Sequence, residues 1–154
     1  MQIIQIETNK KRFLPLLLLG DEQESMIDRY LNSGDMFVMF NDKNQAIATA
    51  VITVEDEKTI ELKNLAVTVT EQGKGFGRQM LDFLCRHYGK NFDTLFVGTG
   101  DVQSTVGFYK HCGFSFSHRV KDFFLENYDH PIFEDGVRLK DMVYLKRSIK
   151  TSSV

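Results

Sequence analysis

The sequence predicts an α/β (α+β) domain of about seven strands and about four helices. Three observations carry that class. First, an apolar run at residues 65–69 leads into a loop with Gly73, Gly75 and Gly77 at alternate positions, and a helical pattern follows through Phe76, Met80, Leu81 and Leu84. Second, the apolar stretch Leu95-Phe96-Val97 comes after that helix. Strand, helix, strand in this order implies a right-handed crossover and a parallel pair. Third, residues 36–40 and 46–54 flank the polar turn 41–44 and read as a hairpin.

The remaining elements follow in chain order. Residues 2–6 read as a short first strand. Residues 10–19 are leucine-rich and read as a helix bent at Pro15 and stopped by Gly20. Asp21 is the expected N-cap of a second helix, with Glu24 three residues on, running to about Asn32. In the strand that begins near residue 60, Ile60 and Leu62 alternate in one phase and Leu65, Val67 and Val69 in the other. One extra residue at Lys63-Asn64, a β-bulge, puts both sets on one face; a strand end near Asn64 is the alternative. The helix at 75–88 is expected to close at Gly89. A strand at 93–98, a helix at 103–112 ended by Gly113, and a strand at 114–120 come next. Residues 121–136 form an aromatic and acidic connection with room for a short helix at 123–127, and 138–146 is the last strand.

Composition narrows the class further. A length of 154 residues suits one domain, expected over residues 1–150 with a flexible tail at 151–154. A net charge of -2 argues against a nucleic-acid protein that works by bulk electrostatics. Cys85 and Cys112 make no disulfide framework, so the expected setting is a reducing cytoplasm. Residues 16–19 are too few to span a bilayer, and no secretory signal pattern opens the chain. His87, His111, His118 and His130 lack metal-ligand spacing, so no metal is expected.

The glycine loop is the chemical centre of the sequence. Glycines let backbone N–H groups approach an anion, and the helix start adds unpaired donors and partial positive charge. The ligand class is therefore a phosphate or pyrophosphate. A P-loop is excluded, because no Ser or Thr follows Gly75. A dinucleotide fingerprint fits poorly, because Arg78 stands where the third glycine belongs. Gln72, Gly75 and Gly77 do fit Gln-x-x-Gly-x-Gly, which, after Leu65-Ala66-Val67, resembles the acetyl-CoA-binding motif of the GNAT superfamily of N-acetyltransferases. Phe108-Tyr109-x-x-x-Gly113-Phe114 resembles that superfamily's second signature. The joint match covers residues 61–114, and residues 122–142 resemble an uncharacterised bacterial subgroup.

The resemblance implies a mixed, mostly antiparallel central sheet of about seven strands flanked by about four helices, with the parallel pair around the cofactor cleft. It implies acetyl-CoA as cosubstrate and direct transfer of the acetyl group to a primary amine. It assigns the cofactor to Leu65, Ala66, Val67, Val69, Gln72, Gly73, Lys74, Gly75, Phe76, Gly77, Arg78, Ser104, Phe108 and Tyr109. Ser104 or Gln103 stands in for an Asn that many members carry in the loop before the second-signature helix. Lys74, Arg78 and Lys110 are alternatives for the CoA 3′-phosphate. Tyr109 matches the general acid: a phenol with pKa about 10 is protonated at neutral pH and can protonate a thiolate of pKa about 8.5. Glu61 is the candidate base, with Asp101 or water as alternatives.

The acidic residues Asp122, Glu126, Asp129, Glu134 and Asp135 fall where the superfamily borders its acceptor site, which favours a cationic amine, small-molecule or peptide. The same residues also fit a solvated loop. Phe123, Phe124, Tyr128 and Phe133 suit an acceptor pocket or a dimer contact, so monomer and homodimer both remain open. No nucleic-acid or membrane partner is expected. The rival reading is a non-catalytic acyl-CoA sensor or interaction module on the same fold.

Overall fold

Strand pairing explains the apolar patterns. The computed structural model describes residues 1–151. Seven strands form one sheet: β1 (Gln2–Ile6), β2 (Asp35–Phe40), β3 (Ala46–Val54), β4 (Thr59–Val67), β5 (Thr94–Gly100), β6 (Ser115–Val120) and β9 (Met142–Ser148). Two short strands, β7 (Phe133–Glu134) and β8 (Val137–Arg138), make a separate hairpin. The helices are α1 (Leu14–Gly20), α2 (Glu24–Ile27), α3 (Phe76–Tyr88), α4 (Gln103–His111) and α5 (Phe123–Asn127). The sheet order is β1-β2-β3-β4-β5-β9-β6. All its neighbours are antiparallel except the parallel pair β4–β5. The expected mixed sheet with one parallel pair is therefore what forms. Among the described residues, no helix is long and apolar enough to cross a membrane.

Core residues lie on both faces of this sheet. In β2, Phe37 and Met39 join a cluster with Met80, Leu81 and Leu84 of α3, while Met36 and Val38 join a second cluster with Leu17, Ile27 and Leu31. Alternate strand residues point to opposite faces, so a strand covered on both sides reads as a continuous apolar run. Each large side chain so buried contributes about 1.5–3 kcal/mol.

The bulge in β4 sits where the phase changes. Val51 pairs with Asn64 and Ile52 with Leu62, leaving Lys63 as the extra residue. Ile60, Leu62, Leu65 and Val67 all pack on the α3 cluster, and Asn64 turns to the α1 side. Pairing with β5 covers only Thr59–Leu62 against Thr94–Val97. Beyond the bulge the two strands part, and the gap becomes a cleft.

Several predicted elements differ. Residues 10–19 are not one bent helix. Lys10–Phe13 forms a 3-10 turn, and Pro15 lies in the first turn of α1, where its missing N–H costs nothing. The predicted helix to Asn32 shrinks to the single turn Glu24–Ile27. Asp21 does not cap it. Gln23 occupies the N-cap, and the Asp21 carboxylate is taken by two phenols. The last strand begins at Met142 rather than at residue 138. Before it, the backbone turns inward so that Leu139 packs on Val102, Phe124 and Ile132. Gly89 is needed for close approach rather than for a left-handed turn. Its φ is -63°, and a Cβ there would lie 2.2 Å from the Ile149 carbonyl oxygen. Thr151 bonds the Gly89 carbonyl through its backbone N–H (2.9 Å) and hydroxyl (3.0 Å). The rest of the tail expected at 151–154 lies outside the described residues.

Asn64 locks α1 to the bulge. It is 2% exposed, and its Nδ2 donates to the Leu17 carbonyl (2.9 Å) and to Tyr30 Oη (3.1 Å). Its Oδ1 has no partner among the described residues and abuts Gly20, where an added Cβ would lie 2.3 Å away. Gly20→Ala is expected to lower stability by about 1–3 kcal/mol. Urea unfolding monitored by circular dichroism checks this. An unchanged midpoint would mean that the Asn64 contact is soft.

Candidate active site

The cleft between the parted strands has a volume of about 790 Å³. Its floor is β4 from Leu62 to Val67 and β5 from Val97 to Gly100. One end is the glycine loop and the start of α3. The other is built by the α1–α2 connection and the chain from α5 to β7.

At the first end, Gly73 (φ 77°) and Gly75 (φ 87°) take left-handed conformations, and a Cβ on either would meet nothing within 4 Å. The demand for glycine there is thus conformational. Gly75 is the N-cap of α3 and supplies no side chain to cap it. The first intrahelical bond runs from the Gln79 N–H to the Gly75 carbonyl (3.0 Å). The N–H groups of Phe76, Gly77 and Arg78 thus have no partner within the helix. A pyrophosphate suits that set of donors. Gly77 lies against α4: a Cβ there would be 3.2 Å from Phe108 Cζ. Gln72 donates from Nε2 to the Val67 carbonyl (2.9 Å), tying the loop to the end of β4.

Most sequence-predicted residues meet in this cleft. Leu65, Val67, Gln72, Gly73, Gly75, Phe76, Gly77, Arg78, Ser104, Phe108 and Tyr109 all line it. Three do not. Ala66 turns to the other face of the sheet and is 5% exposed. Val69 lies beyond β4 in a 3-10 turn, 68% exposed, because the strand ends at Val67. Lys74 is not part of the lining and pairs with Glu71 at 3.1 Å. Ser104 faces the cleft but donates its hydroxyl to Asp135. Thr105 does the same to Glu134, so the β7–β8 hairpin is fastened to the first turn of α4.

Tyr109 is 7% exposed and packs edge-on against Phe108 and Phe114. Burial pushes its phenol well above the usual value, with Cys112 and Glu134 adding to the shift, so it stays protonated at neutral pH. Glu61 is outside the cleft. It lies on the opposite face from Leu62, 2.5 Å from Lys63 Nζ. Burial raises its carboxyl, and Lys63 opposes that rise. Asp101, the other base candidate, pairs with Arg119 at 2.9 Å and does not line the cleft. Of the acidic residues predicted near the acceptor, Glu134 alone faces the cleft, together with the aromatics Phe124, Tyr128 and Phe133. Among the described residues, no group of His, Cys, Asp and Glu is arranged to hold a metal ion. Sequence reasoning missed Asp21 as a site residue. Its spacing to Glu24 suggested a cap, and nothing local announces the phenols that reach it.

The family profile described as "Acetyltransferase (GNAT) domain" matches residues 32–116. The chain belongs to the GNAT acetyltransferases. The uncharacterized N-acetyltransferase YvbK of Bacillus subtilis is 36% identical over 141 residues, which is 90% of each chain. A GNAT acetyltransferase from Elizabethkingia anophelis, solved with acetyl-CoA bound, superposes with TM-score 0.90 at 31% identity, over 96% of this chain and 97% of that one. A Bacillus subtilis acetyltransferase solved with CoA gives TM-score 0.85 at 32% identity, over 96% and 97%. This GNAT protein is an acetyl-CoA-dependent N-acetyltransferase. Its glycine loop and the open α3 N-terminus fit that cosubstrate's pyrophosphate.

Gly75→Ala puts a Cβ into a left-handed conformation at a cost of about 1–2 kcal/mol. The loop must relax, and acetyl-CoA affinity measured by calorimetry is expected to fall about tenfold or more. Unchanged affinity would mean that the loop does not hold the cofactor.

Proposed function

We propose that this GNAT enzyme moves the acetyl group of acetyl-CoA directly to a primary amine, with Tyr109 as general acid. One observation carries the acid role. Tyr109 is buried, yet its side chain borders the cleft, and no protein group hydrogen-bonds its hydroxyl among the described residues. A buried phenol without a protein partner is available to one that arrives with the substrates.

In this reading the neutral amine nitrogen attacks the thioester carbonyl and forms the new C–N bond. Beyond Leu62, the β5-facing backbone groups of β4 have lost their strand partner and are free to polarise the carbonyl oxygen. Such a donor is worth about 3 kcal/mol where comparable ones have been removed. The C–S bond then breaks, and the departing thiolate takes the Tyr109 proton. The proton shed by the amine leaves through water; Glu61, the base candidate from the sequence, lies outside the cleft and pairs with Lys63. The cofactor contacts proposed from the sequence are the glycine loop, Arg78, Phe108 and the β4 backbone. Arg78 borders the cleft and makes no ion pair among the described residues, whereas Lys74 is held by Glu71; Arg78 is therefore favoured for a CoA phosphate.

The far end of the cleft supports a cationic acceptor, since Asp21, Glu22 and Glu134 line it.

Tyr109→Phe is expected to lower kcat by about 10²–10⁴-fold while acetyl-CoA affinity holds. Because the folded phenol titrates above the usual value of about 10, the proton it donates is present up to that pH. The wild-type rate should therefore show no fall due to Tyr109 as pH rises from 7 to about 10. Stopped-time assays of CoA release against an amine panel check both points. An unchanged kcat in Tyr109→Phe would remove the acid role.

A further inference from the structure

The acetyl donor accounts for the glycine-loop end of the cleft and leaves the opposite end without a chemical assignment. That end holds a carboxylate in an unusual setting. Asp21 is half-buried and lines the cleft. Its two oxygens are each taken by a different phenol: Oδ1 accepts from Tyr128 at 2.7 Å and Oδ2 from Tyr30 at 3.1 Å. Tyr30 Oη in turn accepts from Asn64 Nδ2 on the β4 bulge at 3.1 Å. The chain Asn64–Tyr30–Asp21–Tyr128 thus runs from the point where the cleft opens to the segment after α5. It fixes the carboxylate at the cleft wall.

What the carboxylate lacks is a cation. Among the described residues no Lys, Arg or His lies within ion-pair distance of it, although Lys11, Lys63, Lys74, Arg119 and Arg147 all find acidic partners elsewhere. Two neutral phenols and the Gln23 backbone N–H replace only part of its lost hydration: burial pushes its carboxyl above the usual range despite these hydrogen bonds, and the neighbouring Glu22 charge adds to the rise. Charge in the cleft is segregated by element. Arg78 comes from the start of α3, Asp21 from the connection after α1 and Glu134 from β7, while Glu22 lies 3.8 Å from His130 Nε2. Within the cleft wall, Lys63 and Glu71 are neutralised by Glu61 and Lys74.

The reaction restricts where the missing cation can sit. The attacking nitrogen must be neutral, and a carboxylate bound to it as an ammonium would hold its proton on. A positive charge against Asp21 therefore belongs to a second centre on the acceptor. We propose that Asp21 is a specificity-determining residue that takes the non-reacting ammonium of an acceptor carrying two amino groups, a diamine or a chain built on one. This rests on the amine-transfer reading above and names the acceptor class that it left open.

The test is steady-state acetyl transfer to chain-matched pairs: butylamine against putrescine, and pentylamine against cadaverine. Wild type is expected to prefer the diamine by about tenfold or more in kcat/KM, beyond the about twofold statistical factor. Asp21→Asn keeps the shape and an acceptor oxygen for one phenol, offers its NH2 to the other phenol's oxygen, and removes the charge. Its preference should collapse to the statistical factor, mainly through KM, while its melting temperature stays at or above wild type because a desolvated charge is gone. Tyr128→Phe removes a neutral donor and keeps the charge, so its preference should persist. Equal turnover of the paired amines by wild type would overturn the proposal and leave amine transfer standing. So would a preference that survives in Asp21→Asn, or one lost equally in both variants. Acetyl-CoA binding without turnover of any amine would overturn the amine-transfer reading itself, and this inference with it.

Discussion

The separation of β4 from β5 is the constraint on which the rest of this molecule depends. A parallel pair that zipped to its end would bury every backbone group along both strands. Here Lys63 is inserted as one extra residue, and pairing stops at Leu62 and Val97. A bulge bends its strand and strengthens the local twist, so the strands diverge instead of merely ending. The opening exposes backbone donors and acceptors in a place that apolar side chains otherwise surround. It also explains why Leu65 and Val67 are only partly buried: their inner sides pack on the core, and their outer sides are cleft wall.

Each end of the cleft is then charged by a different physical device. At α3 the positive character is mostly backbone: a helix N-terminus with no side-chain cap, preceded by two left-handed glycines. Such a site binds anions without committing any lysine to the purpose, and Lys74 is accordingly tied to Glu71. The acidic end is made of side chains, held by phenols and hydroxyls: Tyr30 and Tyr128 on Asp21, Thr105 on Glu134. Backbone donors demand little of the side chains at the first end, whereas the charge at the acidic end depends on each named side chain.

That division also governs what could be read from the sequence. The glycine loop is legible because its conformational demand falls on neighbouring residues, and the bulge because a change of alternation marks it at Lys63-Asn64. Tyr109 is legible through the short motif around it. The acidic end is legible only in part: the sequence points to Glu134, Phe124, Tyr128 and Phe133, which do line the cleft, but not to the Asp21 network, because residues 21, 30, 64 and 128 converge from four separate segments. The hydrogen bond between Asp21 and Tyr128 spans 107 positions. Local rules even mislead there. Asp21 with Glu24 satisfies a capping pattern, but the N-cap is Gln23 and the carboxylate accepts from Tyr30 and Tyr128 instead. Likewise Val69 continues the alternation of β4 on paper, but the backbone leaves the strand at Thr68, whose N–H bonds the Ile47 carbonyl at 2.8 Å.

The network behind the acidic end carries one unsatisfied polar atom and, among the described residues, one charge without a counter-ion. Asn64 Oδ1 is buried without a donor, and Asp21 is desolvated without a cation. The unsatisfied Asn64 oxygen costs about 1–3 kcal/mol, and the burial that raises the Asp21 carboxyl adds a separate penalty on its charge. The two differ in what can relieve them. Asn64 Oδ1 faces Gly20 across a van der Waals contact that leaves no room for a ligand. Its cost is that of anchoring α1 and Tyr30 through the same side chain's Nδ2. Asp21 faces the cleft, where a ligand does fit. Its cost is recoverable on binding, and a charge whose desolvation is already incurred gains more from an arriving cation than a fully hydrated one does. The rigid, costly anchor at Asn64 is thus what lets the carboxylate wait in a poor environment without turning away from the site.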